Sequence, residues 1–405
     1  MKYLISIILI LSASLIPLPT EMAVSTYIVA FVTLVGGVLG FLLLMSKHNI
    51  FLRMLIPYLY INVFLSAYPE WSIMGYVLTM ACFGWYILLI RQSKETLIAQ
   101  KDIFVAILLI NVFFCIVQFL NKDFALNMYK TPNMIFGTLG NPQILGSFLA
   151  CIAGGVCLKK KWFVIPLLII CAVVRTKGAF ISLSAGIMFY TFFKMNKKLW
   201  IVCTLLIALG TYGYCTWAAG GLLHKNHWSG RLKCWPRTIE LCKERPIKGY
   251  GLATFKMVYP ANSGDILDHD RAPWQIGEYK GDWVMYLRTH NDWLQILFET
   301  GLIGFTLFVG FVITLVVRFI RAVKTEELLI VTAGLVSIAV NMLGAFPMRM
   351  NRLTPLMLLI LAIFHVLTKT KGERNEKTID SDMLNNLPAL GSDRNSSCPT
   401  GQKDA

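Results

Sequence analysis

Phe104-Val-Ala-Ile-Leu-Leu-Ile-Asn111-Val-Phe-Phe-Cys115-Ile-Val-Gln118-Phe-Leu120 is the stretch on which the fold turns, because it runs without a single charge. At a rise of about 1.5 Å per residue, a helix of this length crosses most of a hydrocarbon layer roughly 30 Å thick. Tyr27 to Met45 repeats the pattern. The rest of the chain agrees: of 405 residues 56% are hydrophobic and only 15% are charged. The mean hydropathy is +0.62, a balance that excludes a soluble domain of this size.

The expected fold class is therefore all-α, a polytopic integral membrane protein. Apolar runs place helices near 3–19, 23–45, 54–68, 72–90, 103–120, 143–158, 162–174, 179–193, 199–218, 293–317, 328–345 and 353–367, about twelve in all. The first run, after Met1 and Lys2, lacks a small-x-small cleavage site and is followed at once by a second apolar run, so an uncleaved helix is expected rather than a signal peptide.

Charge gives the orientation. A net charge of +16 and a pI near 9.4 would point a soluble protein toward nucleic acid, but here Lys and Arg cluster between apolar runs, and no nucleic-acid partner is expected. With Met1 in the cytoplasm, the connections 46–53, 91–102, 159–161, 194–198 and 318–327 and the tail from Thr368 fall on the cytoplasmic side, and each is basic. The opposite connections 20–22 and 69–71 hold no Lys or Arg. The expected organisation is nine transmembrane helices in 1–218, a large periplasmic loop in 219–292, three further helices in 293–367, and a polar cytoplasmic tail in 368–405 with the composition of a disordered segment. A single large loop placed late in the chain, without a visible internal repeat, argues against a two-half transporter.

Three outward stretches break the charge rule: 175–178, 219–291 and 346–352. The loop carries eleven Lys or Arg against seven Asp or Glu. Such an outward positive surface suits an anionic partner or the head groups of anionic membrane lipids. Cysteines give no disulfide framework. Cys82, Cys115, Cys151, Cys157, Cys171 and Cys203 lie inside apolar runs, and Cys234 and Cys242 would stand about 12 Å apart along a helix.

The strongest local pattern is Arg288-Thr-His290-Asn291-Asp-Trp-Leu-Gln-Ile-Leu-Phe-Glu299-Thr-Gly301-Leu-Ile-Gly304, where polar residues open into an apolar helix. His290 could take a proton near neutral pH, or serve only as an interfacial anchor. Glu299 enters the membrane, where a carboxylate needs a partner; Arg349 and Arg352 on the neighbouring outward connection are the candidates. Upstream, Ser229-Gly-Arg231-Leu-Lys-Cys-Trp235 leads to Glu244-Arg245-Pro246-Ile-Lys-Gly249-Tyr-Gly251. It reads as a short amphipathic helix with a Ser cap and a Pro/Gly stop, and Pro236 is expected to kink it or confine it to a first turn. Arg231 and Arg245 could grip a phosphate through paired donors or lie on a solvated face. His224-x-x-His227 and Asp268-His269-Asp270 hold metal-type groups without a full ligand set, so no metal is expected. Gly137-Thr-Leu-Gly140-Asn141-Pro142 and Arg175-Thr-Lys177-Gly178-Ala179 are breaks at the same outer face, lining a site or simply joining helices.

Together these segments resemble the O-antigen ligase family, whose shared region has a His-Asn pair, nine residues, then Gly-x-x-Gly: here His290, Asn291, Asp292 to Thr300, Gly301 and Gly304. The resemblance extends over Gly137 to Pro142, the Thr-Lys-Gly-Ala break, Ser229 to Trp235 and Arg245 to Gly251, roughly the central and C-terminal two thirds. It implies an inner-membrane glycosyltransferase that moves a glycan from a polyprenyl diphosphate carrier onto lipid A-core, with no cofactor, nucleotide sugar or metal. Carried over by resemblance, His290 is the base or positioning group for the acceptor hydroxyl and Arg231 holds the diphosphate. Lys177, Arg288, Asn291 and Arg245 are further substrate-binding candidates. Lys177 stands where the family has an arginine, keeping the charge and losing the fork. The rival readings are a polysaccharide polymerase, a protein O-oligosaccharyltransferase, and a transporter or flippase. A transporter should place ionisable groups at mid-membrane rather than at one face.

Overall fold

A computed structural model of the chain describes residues 50–120, 135, 137–139, 141–217, 225–262, 288–350 and 353–369, with backbone alone at 52, 217 and 225–233. The expected helices at 3–19 and 23–45, and the tail beyond Lys369, lie outside the described residues. Within them the chain is helical and contains no strand. The helices are α1 (Ile50–Phe64), α2 (Pro69–Ile90), α3 (Lys94–Ile98), α4 (Lys101–Leu120), α5 (Pro142–Lys159), α6 (Val164–Val173), α7 (Lys177–Lys194), α8 (Lys197–Trp217), α9 (Lys225–Glu244), α10 (Phe255–Ala261), α11 (Asp292–Arg321), α12 (Glu326–Asn341) and α13 (Thr354–Leu367). Among the described residues five stretches are long and apolar enough to cross a membrane: Pro69–Ile90, Lys94–Leu120, Pro142–Lys159, Lys197–Thr216 and Asp292–Arg321.

α12 packs against α5 and α7 at the middle of the bundle. The contacts are close because small residues meet there. A Cβ added at Gly334 of α12 would lie 2.6 Å from the Gly154 Cα of α5, and one at Gly186 of α7 would lie 2.7 Å from the Ala333 carbonyl oxygen. In lipid, where apolar burial between helices drives little, backbone approach of this kind gains dispersion contacts that larger residues would forbid. Phe104 of α4 fills the space left by Gly155. α8 packs on α7 and turns Leu205, Leu206 and Leu209 outward, as a lipid-facing helix should. Two buried amides in α4 hold the 137–139 turn: Gln118 pairs with both the N–H and the C=O of Gly137 (2.9 and 2.7 Å), and Asn111 Oδ1 accepts from the Thr138 hydroxyl (3.0 Å).

Four of the basic connections read as cytoplasmic gather at one end of the bundle around the first turn of α12. Lys94 pairs with Glu327 (2.9 Å), Lys194 and Lys161 approach Glu326, and Lys159 pairs with Asp102 (2.7 Å). These pairs are about half exposed and contribute little stability each.

Of the two outcomes expected at Pro236, a kink or confinement to a first turn, confinement is corrected: α9 continues past Pro236 from Lys225 to Glu244. Proline costs that helix one backbone bond, but Cys234 and Leu241 on either side of it pack with Phe255, Val258, Tyr259 and Phe298, and the buried Thr238 bonds the Cys234 carbonyl, which holds the helix together.

Candidate active site

The end of the bundle away from the Lys–Glu pairs is organised by a break inside α11. Gly301 has φ 62° and ψ −172°, a conformation confined to glycine, so the helical ladder fails there. The groups it frees are not left bare. The amides of Tyr250 and Gly251 donate to the carbonyls of Phe298 and Glu299 (3.0 and 2.9 Å), and the amides of Leu302 and Ile303 donate to those of Pro246 and Ile247 (2.8 and 3.4 Å). The Pro246–Gly251 turn is thus a splint across the kink. The splint matters because Gly301 lies within a helix long and apolar enough to cross a membrane, where unpaired backbone is costly. The Gly-rich motif follows from this geometry. A Cβ at Gly301 would sit 2.3 Å from the Ile247 oxygen, one at Gly249 (φ 68°) 2.5 Å from the Gly301 nitrogen, and one at Gly304 2.8 Å from the Tyr58 ring. α1 secures the turn from the other side, with Asn62 donating to the Lys248 carbonyl (2.6 Å) and the Tyr58 hydroxyl to that of Thr300.

At the head of α11, His290 also holds a positive φ, 54°, uncommon for a non-glycine residue and maintained by its neighbours. Asn291 is the N-cap, its side-chain oxygen accepting from the Leu294 amide (3.0 Å). Thr289 is buried. Its hydroxyl donates to the Asn291 carbonyl (2.6 Å), its amide to Gln295 Oε1 (3.3 Å), and its carbonyl accepts from the Trp235 indole of α9 (2.7 Å). The His290 ring meets the Phe346 ring edge-on, centroids 5.0 Å apart.

Below His290 lies a buried ion cluster. Asp292 and Glu299 are completely buried; Arg349 pairs with Glu299 through Nη1 (3.0 Å) and approaches Asp292 through Nε (3.4 Å). The second Asp292 oxygen accepts from the Met348 amide (2.9 Å), and Gln295 donates to Glu299 (2.8 Å). Of the two partners expected for Glu299, Arg349 is therefore the one in place; Arg352 lies outside the described residues. Arg288 and Lys256 add positive charge here and form no ion pair among the described residues. The Lys256 ammonium sits over the Trp71 ring, 3.6 Å from its centroid. Burial first, and then the Arg288 guanidinium, hold Lys256 below the usual lysine range.

The residues singled out from sequence divide clearly. Arg288, His290 and Asn291 lie within four residues around the same cap. Arg245 stacks its guanidinium on the Tyr250 ring (5.0 Å), which in turn stacks on Phe298, so it belongs to the splint. Lys177 opens α7, and α12 links that helix to the site: Asn341 donates to Ser182 (3.3 Å) while the Met342 carbonyl accepts the Asp292 amide (2.9 Å). Arg231 lies on α9 one turn before Trp235, its side chain outside the described residues. His224, His227 and Asp268 to Asp270 are likewise outside, in whole or in side chain. Sequence reasoning gave no role to Trp235, Thr289, Phe346 or Asn62. Asn62 carried a usable signal, a primary amide in an otherwise apolar helix.

Residues 162–309 match the family model described as O-antigen ligase. That segment contains the Thr-Lys-Gly-Ala break, α9, the splint and the His290–Gly304 motif, and the resemblance read from the sequence holds over it. A Rickettsia conorii protein provisionally named a polysaccharide ligase is 31% identical over 97 residues, 24% of this chain. The match covers 20% of that relative's length.

Proposed function

We propose that this chain is an integral-membrane glycosyltransferase that moves a glycan from a polyprenyl diphosphate carrier to a hydroxyl of lipid A-core. The observation that carries the reading is the His290 cap: a histidine with positive φ at the head of a membrane helix, its ring against Phe346, with Arg288 two residues before it. On this reading His290 takes the proton of the acceptor hydroxyl as its oxygen forms the glycosidic bond. The bond between the sugar and the diphosphate breaks, and its electrons leave with the carrier diphosphate. Arg231, Arg288 and Lys177 stabilise that developing charge, which is where preorganised cations contribute most. Asn291 and Arg245 act one step back, through the cap and the splint. Breaking a glycosyl diphosphate makes the transfer favourable without ATP. The proposed placement is the bacterial inner membrane, with about twelve spans, both termini cytoplasmic and the 219–292 loop periplasmic. The family match and the relative's name support glycan ligation; donor, acceptor and topology belong to the proposal.

The test is a surface-glycan gel of the host with the gene deleted and complemented. The reading expects core without a ladder and accumulated lipid-linked chains, restored by wild type and not by His290→Ala at equal membrane abundance. Core bearing a single repeat would point to a polymerase, and an unchanged ladder to another acceptor or to transport.

A further inference from the structure

The segment between α12 and α13 reaches the site although it lies outside the residues 162–309 of the family match. It contributes two side chains. Phe346 stands edge-on to the His290 ring at 5.0 Å, and three residues later Arg349, only 18% exposed, ties both buried carboxylates of the α11 head. Pro347–Arg349 is a single 3-10 turn, so the two side chains are held in a fixed relation, and the Met348 amide between them bonds Asp292 (2.9 Å). The same α11 head receives the Met342 carbonyl from the start of this connection. A residue with a positive φ does not keep one side-chain direction unaided, and here the wall against which the His290 ring rests is the element that Arg349 fastens.

We infer that Arg349 is a positioning residue for His290, acting through Phe346: its fork to Asp292 and Glu299 fixes the 346–349 turn, and the turn fixes the imidazole. Fork geometry, and not charge alone, is what the role requires, since Arg349 spans two acids by different nitrogens. The inference rests on His290 being the reacting group proposed above. The contacts of Arg349 that carry this role are those to Asp292 and Glu299.

The test compares Arg349→Lys, Phe346→Leu and their double variant, purified in detergent and checked for monodispersity and thermal stability. The first readout is transfer kinetics with a lipid diphosphate-linked glycan. The second is the rate at which diethyl pyrocarbonate modifies the His290 peptide, followed by mass spectrometry without any substrate. Each single variant should lower kcat at least tenfold with the donor KM within twofold, and alter the modification rate of His290 several-fold. The double variant should lose no more than the worse single one, because both act on one ring. Unchanged modification with unchanged kcat overturns the inference, as do fully additive losses or a loss confined to KM. An altered modification rate in the variants, where the wild type itself transfers no glycan, sustains the positioning role and rejects the proposed reaction.

Discussion

Gly301 and His290 both hold left-handed backbone, for opposite reasons. Gly301 is there because no other residue fits: its φ of 62° is paired with ψ −172°, and the Ile247 oxygen occupies the Cβ position at 2.3 Å. Gly301→Ala is expected to cost on the order of 2–4 kcal/mol from backbone strain and the clash together, measurable as a lower unfolding temperature in detergent. His290 has a Cβ and is held by surrounding bonds, so His290→Ala should leave stability nearly unchanged while abolishing transfer. The ion cluster gives a third expectation. Glu299→Ala leaves Arg349 with one carboxylate and should destabilise by about 3–5 kcal/mol. A reversed pair, Glu299→Arg with Arg349→Glu, should rescue poorly, because the new carboxylate would face Asp292, whose Oδ1 lies 3.4 Å from Arg349 Nε. The sequence allowed the Glu299–Arg349 pair to be named, since a carboxylate entering a membrane demands a cation. It hid Asp292, because an acid in the first turn of a helix reads as an ordinary dipole partner.

At the scale of elements, the splint explains why a soluble-looking turn and a membrane helix share one motif set. Arg245 to Gly251 and Gly301 to Gly304 are about fifty residues apart in the chain, yet four backbone bonds join them across one kink. Neither half has a reason for its glycines without the other, which is why spacing alone showed a pattern and not its cause. α1 and α2 brace the turn through Asn62 and through Ser72, which bonds the Leu252 carbonyl (3.2 Å). Asn62→Leu removes the shorter of two side-chain bonds to the Lys248 carbonyl, which Tyr58 also approaches at 3.4 Å, and should cost about 0.5–1.5 kcal/mol and lower transfer through a loosened kink. Unfolding and activity measured on the same sample check it: a stable, fully active Asn62→Leu would remove the bracing role. Helix positions were legible from apolar runs to within a few residues, as for α4 and α5. The passage of α9 through Pro236 was not, because propensity at one residue is overridden by burial of the residues on either side.

For the molecule as a whole, polarity is distributed by end. Lys94, Lys159, Lys161 and Lys194 meet acids at one end of the bundle, while Arg288, Arg349, Lys256 and His290 gather at the other. Under the proposed orientation the second end faces outward, where a lipid-linked donor would present its diphosphate. Cysteines introduced at Asn196 and at Lys248, in a background lacking Cys242, should label from opposite faces with a membrane-impermeant maleimide: position 248 in intact spheroplasts, position 196 only in inverted vesicles. Labelling of both from one face would undo the topology and with it the outward site.

The central claim, that His290 drives transfer from a lipid diphosphate to a hydroxyl, is tested most directly by the purified protein in vesicles supplied with lipid diphosphate-linked glycan and lipid A-core, with nucleotide sugars and ATP absent. Wild type should form glycosylated core and release polyprenyl diphosphate in equal amounts, and His290→Ala should fall by at least a thousandfold. Product formed at the wild-type rate by His290→Ala, or no product from a folded wild type, would contradict the account.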